Sequence, residues 1–299
     1  MSDFKRGYVA IIGRPNVGKS TLLNKIVGDS VSIVSKKRQS TRNKVVGICT
    51  RQNYQIIFLD TPGLDFNKKF ALNRRLNKLA LAEVVSVDLI IWVTEANKFT
   101  DGDKFIKRLL PRNVPLIIAL NKVDLSKNLY EKKKIFENSS NFMSLKPNAL
   151  IPVSAKKNFQ LNQLVNEVVK VIPFQEKIFE DDIKTNRSKT FRVSELIREI
   201  VMRYIGEELH YSLSVKIDKM EERSMGRTPL DIFATIYVGK KTHRPILLGS
   251  RGVKISKISE AARRELTQLL GVKVQLNLWV KVKKNWVKDT NLLLGMGID

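Results

Sequence analysis

Several residue types are scarce in this chain, and each scarcity removes a class of function. One cysteine, Cys49, in 299 residues excludes an internal disulfide and fits a reducing compartment. Two histidines, His210 and His243, leave too few donors for a zinc site or a Cys–His nucleophile. No apolar run approaches the roughly 20 residues that a membrane-crossing helix needs. The longest, 84–94, carries Asp88 inside it. The first residues also lack a secretory pattern, because the apolar stretch 9–12 runs straight into Gly13 and Arg14. A cytoplasmic protein is expected. No repeat or low-complexity tract is present. Acid is scarce too: 29 Asp and Glu face 54 Lys and Arg, a net charge of +25. That balance favours polyanionic partners, either nucleic acid or an acidic membrane surface. Residues 1–190 hold 34 basic against 17 acidic residues and residues 191–299 hold 20 against 12, so charge assigns binding to neither half.

What is present is a rhythm. The length is about twice that of a typical domain, which predicts two. Apolar runs at 8–12, 54–59, 89–93, 116–120 and 150–153 read as buried strands. Between them, 20–27, 71–85, 103–110, 130–142 and 161–171 read as helices. This alternation predicts an α/β domain over 1–173, a mostly parallel doubly wound sheet with ligands at the carboxyl ends of its strands. The rhythm then stops. Residues 174–190, with the acid cluster 180–182, read as a linker, and 191–299 as a small α+β domain. Its sheet is buried on one side: Val272, Val274, Leu276, Leu278, Val280 and Val282 alternate with polar residues and Trp279.

Directly after the first strand stands Gly13-Arg14-Pro15-Asn16-Val17-Gly18-Lys19-Ser20, a match to G-x-x-x-x-G-K-[ST], followed by Thr21 in the helix. Glycines let successive N–H groups converge on a phosphate, and the helix adds its positive end. Lys19 would reach the β- and γ-phosphates, and the Ser20 hydroxyl would ligate Mg²⁺. Asp60-Thr61-Pro62-Gly63 closes the strand 54–59. There Asp60 can hold Mg²⁺ directly or through a water, and the Gly63 amide can approach the γ-phosphate. Thr41, in the basic loop Gln39-Ser40-Thr41-Arg42, is the candidate second hydroxyl ligand, with Ser40 the competing choice. Asn121-Lys122-Val123-Asp124 ends the strand 116–120. The Asp124 carboxylate can accept from guanine N1–H and the 2-amino group, donors that adenine lacks. Lys122 can lay its stem along the base, and Asn121 can tie this loop to the phosphate loop. In Ser154-Ala155-Lys156 the Ala155 amide could donate to guanine O6. Five such elements, in this order at strand ends, predict a site for GTP and GDP.

Together these motifs, GRPNVGKS, QSTR, DTPGL, NKVD and SAK, resemble the Era family of bacterial GTPases over essentially the whole chain. The resemblance implies a P-loop G domain with a mixed six-stranded sheet and then a type II KH domain. It rests there on Gly249-Ser250-Arg251-Gly252, read as a turn between a strand at 246–248 and a helix. A KH loop lets a single-stranded backbone pack close, and Arg251, Lys254 and Lys257 would supply phosphate contacts. Also implied are binding of 16S ribosomal RNA near its 3′ end, a role in small-subunit assembly and peripheral membrane association; separately, a monomer is expected. A membrane-docked signalling GTPase with a lipid-binding basic tail is the alternative.

Hydrolysis would be attack of water on the γ-phosphate, driven by positioning and charge stabilisation. Where Ras-like enzymes place a water-orienting glutamine this chain has Leu64, which predicts slow intrinsic turnover. In related GTPases with GRPN loops the asparagine, here Asn16, ligates K⁺ beside the phosphates. That ion could stand in for an arginine finger, and Arg42 is a second candidate to supply such a positive charge. Trp279 and Trp286 read as packing residues.

Overall fold

The computed structural model describes residues 3–32, 45–60, 86–126, 140–205, 213–222 and 229–283. The expected helix at 71–85 and most of that at 130–142 lie outside them. The chain divides into two compact units, Met1–Asn186 and Arg187–Asp299.

In the first unit β1 (Lys5–Ile12) leads to α1 (Lys19–Val27), then β2 (Val45–Arg51), β3 (Tyr54–Asp60), β4 (Leu89–Glu95), α2 (Asp101–Leu109), β5 (Leu116–Asn121), β6 (Ala149–Pro152) and α3 (Leu161–Val171). The sheet order is β2-β3-β1-β4-β5-β6, parallel except for β2 against β3. Strands on either side of β1 follow it by opposite routes, so a crevice opens at its carboxyl end. The central strands are apolar on both faces because both are covered. On one side Trp92, Ile118 and Ile106 pack around Phe142, whose ring meets Trp92 edge-on at 5.0 Å.

One strand escapes the sequence pattern. β2 reads V-V-G-I-C-T-R, and its Gly47 interrupts the apolar run. The glycine is there because α1 lies on top of it: a Cβ at Gly47 would stand 2.6 Å from Leu23 Cδ1. α2 begins two residues earlier than expected, at a capping box in which the Thr100 N–H and hydroxyl both donate to Asp103 Oδ2 (2.9 Å).

The segment expected to be a linker is fastened to the first unit. Arg6 N–H donates to the Pro173 carbonyl and Gln175 N–H to that of Phe4, while Ile48 N–H donates to the Lys184 carbonyl (2.8 Å). Gln55 on β3, fully buried, satisfies every valence of its amide. Its Nε2 donates to Thr50 Oγ1 and the Phe179 carbonyl, and its Oε1 accepts from the Ile178 and Phe179 N–H groups. Phe179 and Ile183 pack on Val46, Ile48, Ile57 and Leu59. Residues 173–184 thus form a strap across β1, β2 and β3.

The second unit is α4 (Lys189–Tyr204), β7 (Leu213–Glu222), β8 (Leu230–Val238), α5 (His243–Leu248), α6 (Val253–Leu270) and β9 (Val274–Val282). Ser188 caps α4, accepting from Phe191 N–H (3.1 Å). β7 pairs antiparallel with β8, with a bulge at Asp218, and β9 pairs parallel on the other side. One face of this sheet packs under the helices, with Ile232, Ala234 and Ile236 against Ile197, Ile200 and Leu266. The strand expected at 246–248 is wrong: those residues end helix α5. Pro245 sits in its first turn, where no intrahelical N–H is required, and only Leu247 of the apolar trio is buried. Short apolar runs cannot be assigned by periodicity alone. Val272 precedes β9 and is exposed. Among the described residues no helix is long and apolar enough to cross a membrane.

Candidate functional site

The loop 13–18 joins β1 to α1 at the mouth of the crevice. Gly18 takes φ 102°, a left-handed conformation, and a Cβ there would meet Asn121 Nδ2 at 2.3 Å. That approach lets Asn121 reach across: its Nδ2 donates to the Val17 carbonyl (2.8 Å). Lys19, buried, bends back so that its Nζ donates to the Gly13 and Arg14 carbonyls, both at 3.1 Å. Its ammonium therefore stands inside the loop. Ser20 and Thr21 follow in the first turn of α1, whose amides face the same point. Pro15 is half-buried, and Asn16 is exposed with φ 66°.

Arg14 points away from the crevice. Its Nε donates to Asp103 Oδ2 (2.7 Å), a carboxylate that is 0% exposed and also accepts from Thr94 Oγ1. Asp103 thus pins the phosphate loop to α2, a part the sequence reading did not assign to it. Asn24 plays a similar part at the end of α1. It accepts from the Val31 and Ser32 N–H groups and donates to the Ser32 carbonyl, holding the chain where the candidate metal-binding loop begins.

The base-selecting elements converge at the ends of β5 and β6. Asn121, 2% exposed, accepts through Oδ1 from the Ala155 N–H (3.0 Å). The Ala155 amide, expected to face guanine O6, is turned to Asn121, which so joins three loops. Asp124 is half-buried in a single 3-10 turn and accepts from the Ser154 hydroxyl. Ser154 in turn accepts from Lys157 N–H, fixing the carboxylate, while Lys156 is exposed. Lys122, with φ 66°, pairs with Glu95, which lies in register with Asn121 at the end of β4. The sequence reading missed Glu95, because nothing in T-E-A-N marks it. Asp60 ends β3, paired in register with Val45 and Ile11. Thr41, its competitor Ser40, Arg42, Thr61, Pro62, Gly63 and Leu64 lie outside the described residues.

The second site lies between α5 and α6. Gly249 has φ 71°, and a Cβ there would stand 2.6 Å from Lys254 Cβ, so only glycine lets the loop close on α6. Arg251 and Gly252 are left-handed as well. Gly249, Ser250, Arg251, Val253, Lys254 and Lys257 line an open cleft of about 360 Å³. Val253, 55% exposed, was not anticipated and gives the cleft an apolar spot.

A sheet whose crevice holds a phosphate loop, with Asp60 at a neighbouring strand end and the turn 121–124 beside it, followed by a G-x-x-G unit, fits a guanine-nucleotide GTPase with a KH domain. Comparison with known proteins agrees on both halves. The family model described as 50S ribosome-binding GTPase matches residues 8–122, and the KH domain model matches 208–287. Over 298 residues the chain is 38% identical to GTPase Era of Bordetella pertussis, covering 99% of each. It is 39% identical over 294 residues to GTPase Era of Yersinia enterocolitica, covering 97% of this chain and 95% of the relative. A crystal structure of Era in complex with MgGDPNP and nucleotides 1506-1542 of 16S ribosomal RNA superposes with a TM-score of 0.91 at 33% identity, covering 99% of each chain. Aquifex aeolicus Era bound to GDP and AlF4⁻ gives the same score and identity. The chain belongs to the Era family of GTPases.

Proposed function

We propose that this GTPase binds single-stranded small-subunit ribosomal RNA near its 3′ end through the cleft at 249–257 and acts in assembly of the small subunit. The observation that carries this reading is the cleft itself: a glycine-built loop closed on a helix that presents Arg251, Lys254 and Lys257 together. A backbone can approach glycine closely while the three cations neutralise its phosphates. The full-length match to Era solved with 16S RNA supports the choice of RNA. The domain limits proposed are 1–173 for the G domain and 191–299 for the KH domain, with the strap between them.

Mg²⁺ fits the nucleotide site, whose donor set of Ser20, Thr41 and Asp60 is hard oxygen throughout. When bound it supplies charge compensation between the β- and γ-phosphates. The protein's own share is to hold the triphosphate with Lys19 and the amides of 13–20, and to select guanine with Asp124 set by Ser154. Leu64 can neither donate nor accept, so water is not oriented by that side chain and intrinsic turnover is slow. Asn16, at the tip of the loop with φ 66°, is the group to coordinate K⁺. Equal turnover in K⁺ and Na⁺ would remove that role.

Crosslinking to cellular RNA followed by sequencing, with and without a GTP analogue, tests the RNA reading. Reads concentrated at the 3′ end of 16S RNA are expected. Reads spread evenly over all RNA, together with flotation on anionic vesicles, would favour the membrane alternative instead.

A further inference from the structure

The sheet of the second unit buries one face only, and its other face has an unusual composition. On β8 the apolar set Ile232, Ala234, Ile236 and Val238 packs with the core, so Phe233, Thr235 and Tyr237 stand on the opposite side. The pairing register then orders that side. Phe233 lies between Lys219 and Asn277, Thr235 between Lys216 and Trp279, and Tyr237 between Ser214 and Lys281. Three aromatic rings, three lysines and Asn277 share this face with Asp231, Glu221 and Gln275. Trp279, 47% exposed, lies parallel to Phe233, the ring centroids 6.0 Å apart and the planes 15° from each other. One side of the ring packs on Phe233, in line with the sequence expectation, and the rest is in water.

Acid is present but set aside. The Asp218 carboxylate accepts from the Thr235 hydroxyl (2.6 Å), and Glu221 pairs with Lys219. Cross-strand aromatic pairs stabilise sheets by covering one another, yet this pair leaves nearly half of its tryptophan in water. Half-exposed rings alternating with lysines and an amide match a single strand of nucleic acid, which offers a base to stack and a phosphate to neutralise at every step. Aromatic rings and lysines also suit a lipid surface, and the run of this face from β9 toward the loop 249–252 favours RNA.

We propose that this face is a second single-stranded RNA surface, where bases stack on Trp279 and Phe233 while Lys216 and Lys281 meet phosphates. It rests on the RNA-binding reading above and extends that site. Helix α5, which runs into the loop 249–252, packs against β9, and β9 is an edge of the sheet. An RNA strand leaving the loop beside β9 crosses that edge to reach Trp279.

The test uses the full chain and two single-stranded RNAs from the 3′ end of 16S RNA. One has about four nucleotides, the length a KH loop clamps, and the other about 12, within the span of sheet-based binders. Trp279→Ala should bind the short RNA as the unaltered chain does and lose about ten-fold on the long one, with Trp279→Phe retaining most of the affinity. Lys281→Gln should lower the salt slope on the long RNA by about one. Photocrosslinking of 5-iodouracil-substituted long RNA to the unaltered chain, read by peptide mapping, should mark Trp279 or Phe233. Equal losses on both RNAs, or adducts confined to 249–257, would overturn the proposal while leaving the cleft intact. Failure of the unaltered chain to bind either RNA would remove the RNA reading itself. Vesicle binding abolished by Trp279→Ala with RNA binding unchanged would give the face to lipid.

Discussion

In the first unit the groups facing a nucleotide are held by buried partners. Asn121 joins three loops from a nearly inaccessible position, Ser154 fixes Asp124, and Asp103 anchors the phosphate loop through Arg14. In the second unit Arg251 and Lys257 stand exposed around an open cleft, and Trp279, stacked on Phe233, is half-exposed on the far face of the sheet. The contrast follows from the ligands. A triphosphate and a purine have one shape, so prior orientation of donors lowers the cost of binding and excludes the wrong base. A single-stranded polyanion has many shapes, and cations on a surface with stacking platforms accommodate them at the expense of salt sensitivity.

Four changes would break or sharpen that contrast, beginning with the largest effect. Asp103→Ala leaves the Arg14 guanidinium without its buried partner and should destabilise the first unit by about 3 kcal/mol. Chemical denaturation monitors the loss, which Asp103→Asn should partly restore. Lys19→Ala removes the charged donor inside the phosphate loop and should weaken GTP binding about hundred-fold by calorimetry. RNA affinity measured without nucleotide should not move, and a comparable fall there would show that the two sites are not separately built.

Gln55→Leu strips three hydrogen bonds from the strap and a fourth from Thr50, and should cost about 2 kcal/mol. Burial pushes the Cys49 thiol up against the opposing pull of Arg51 and Lys184, so it stays protonated and unreactive near neutral pH. Gln55→Leu should therefore speed its alkylation, and an unchanged labelling rate would show that the strap holds without Gln55. The smallest effect belongs to Lys254→Gln, expected to weaken RNA binding about three-fold with a shallower salt dependence. A loss as large as that of Lys19→Ala on GTP would mean that the cleft, too, is a preorganised site.

Much of the nucleotide site was legible because its chemistry demands particular residues at fixed spacing beside strand ends. Gly18, Lys19, Asn121 and Asp124 announce themselves in that way. Their supports do not. Asp103 is 89 positions from Arg14, Glu95 is 27 from Lys122, and Gln55 holds a segment more than 120 residues on. No local pattern links such pairs. β2 was hidden by Gly47, whose missing side chain makes room for Leu23, and α5 was mistaken for a strand because three apolar residues in a row carry no period.

The sequence by itself determined the phosphate loop, the turn 121–124 and the glycine loop of the second unit, since each is a short stretch whose backbone and side chains act within a few residues. Only the tertiary structure decided that 173–184 straps the strands, that Ala155 turns to Asn121, and that Trp279 faces water. Those outcomes depend on which distant surfaces cover one another, and burial is a property of the packed chain rather than of any one segment.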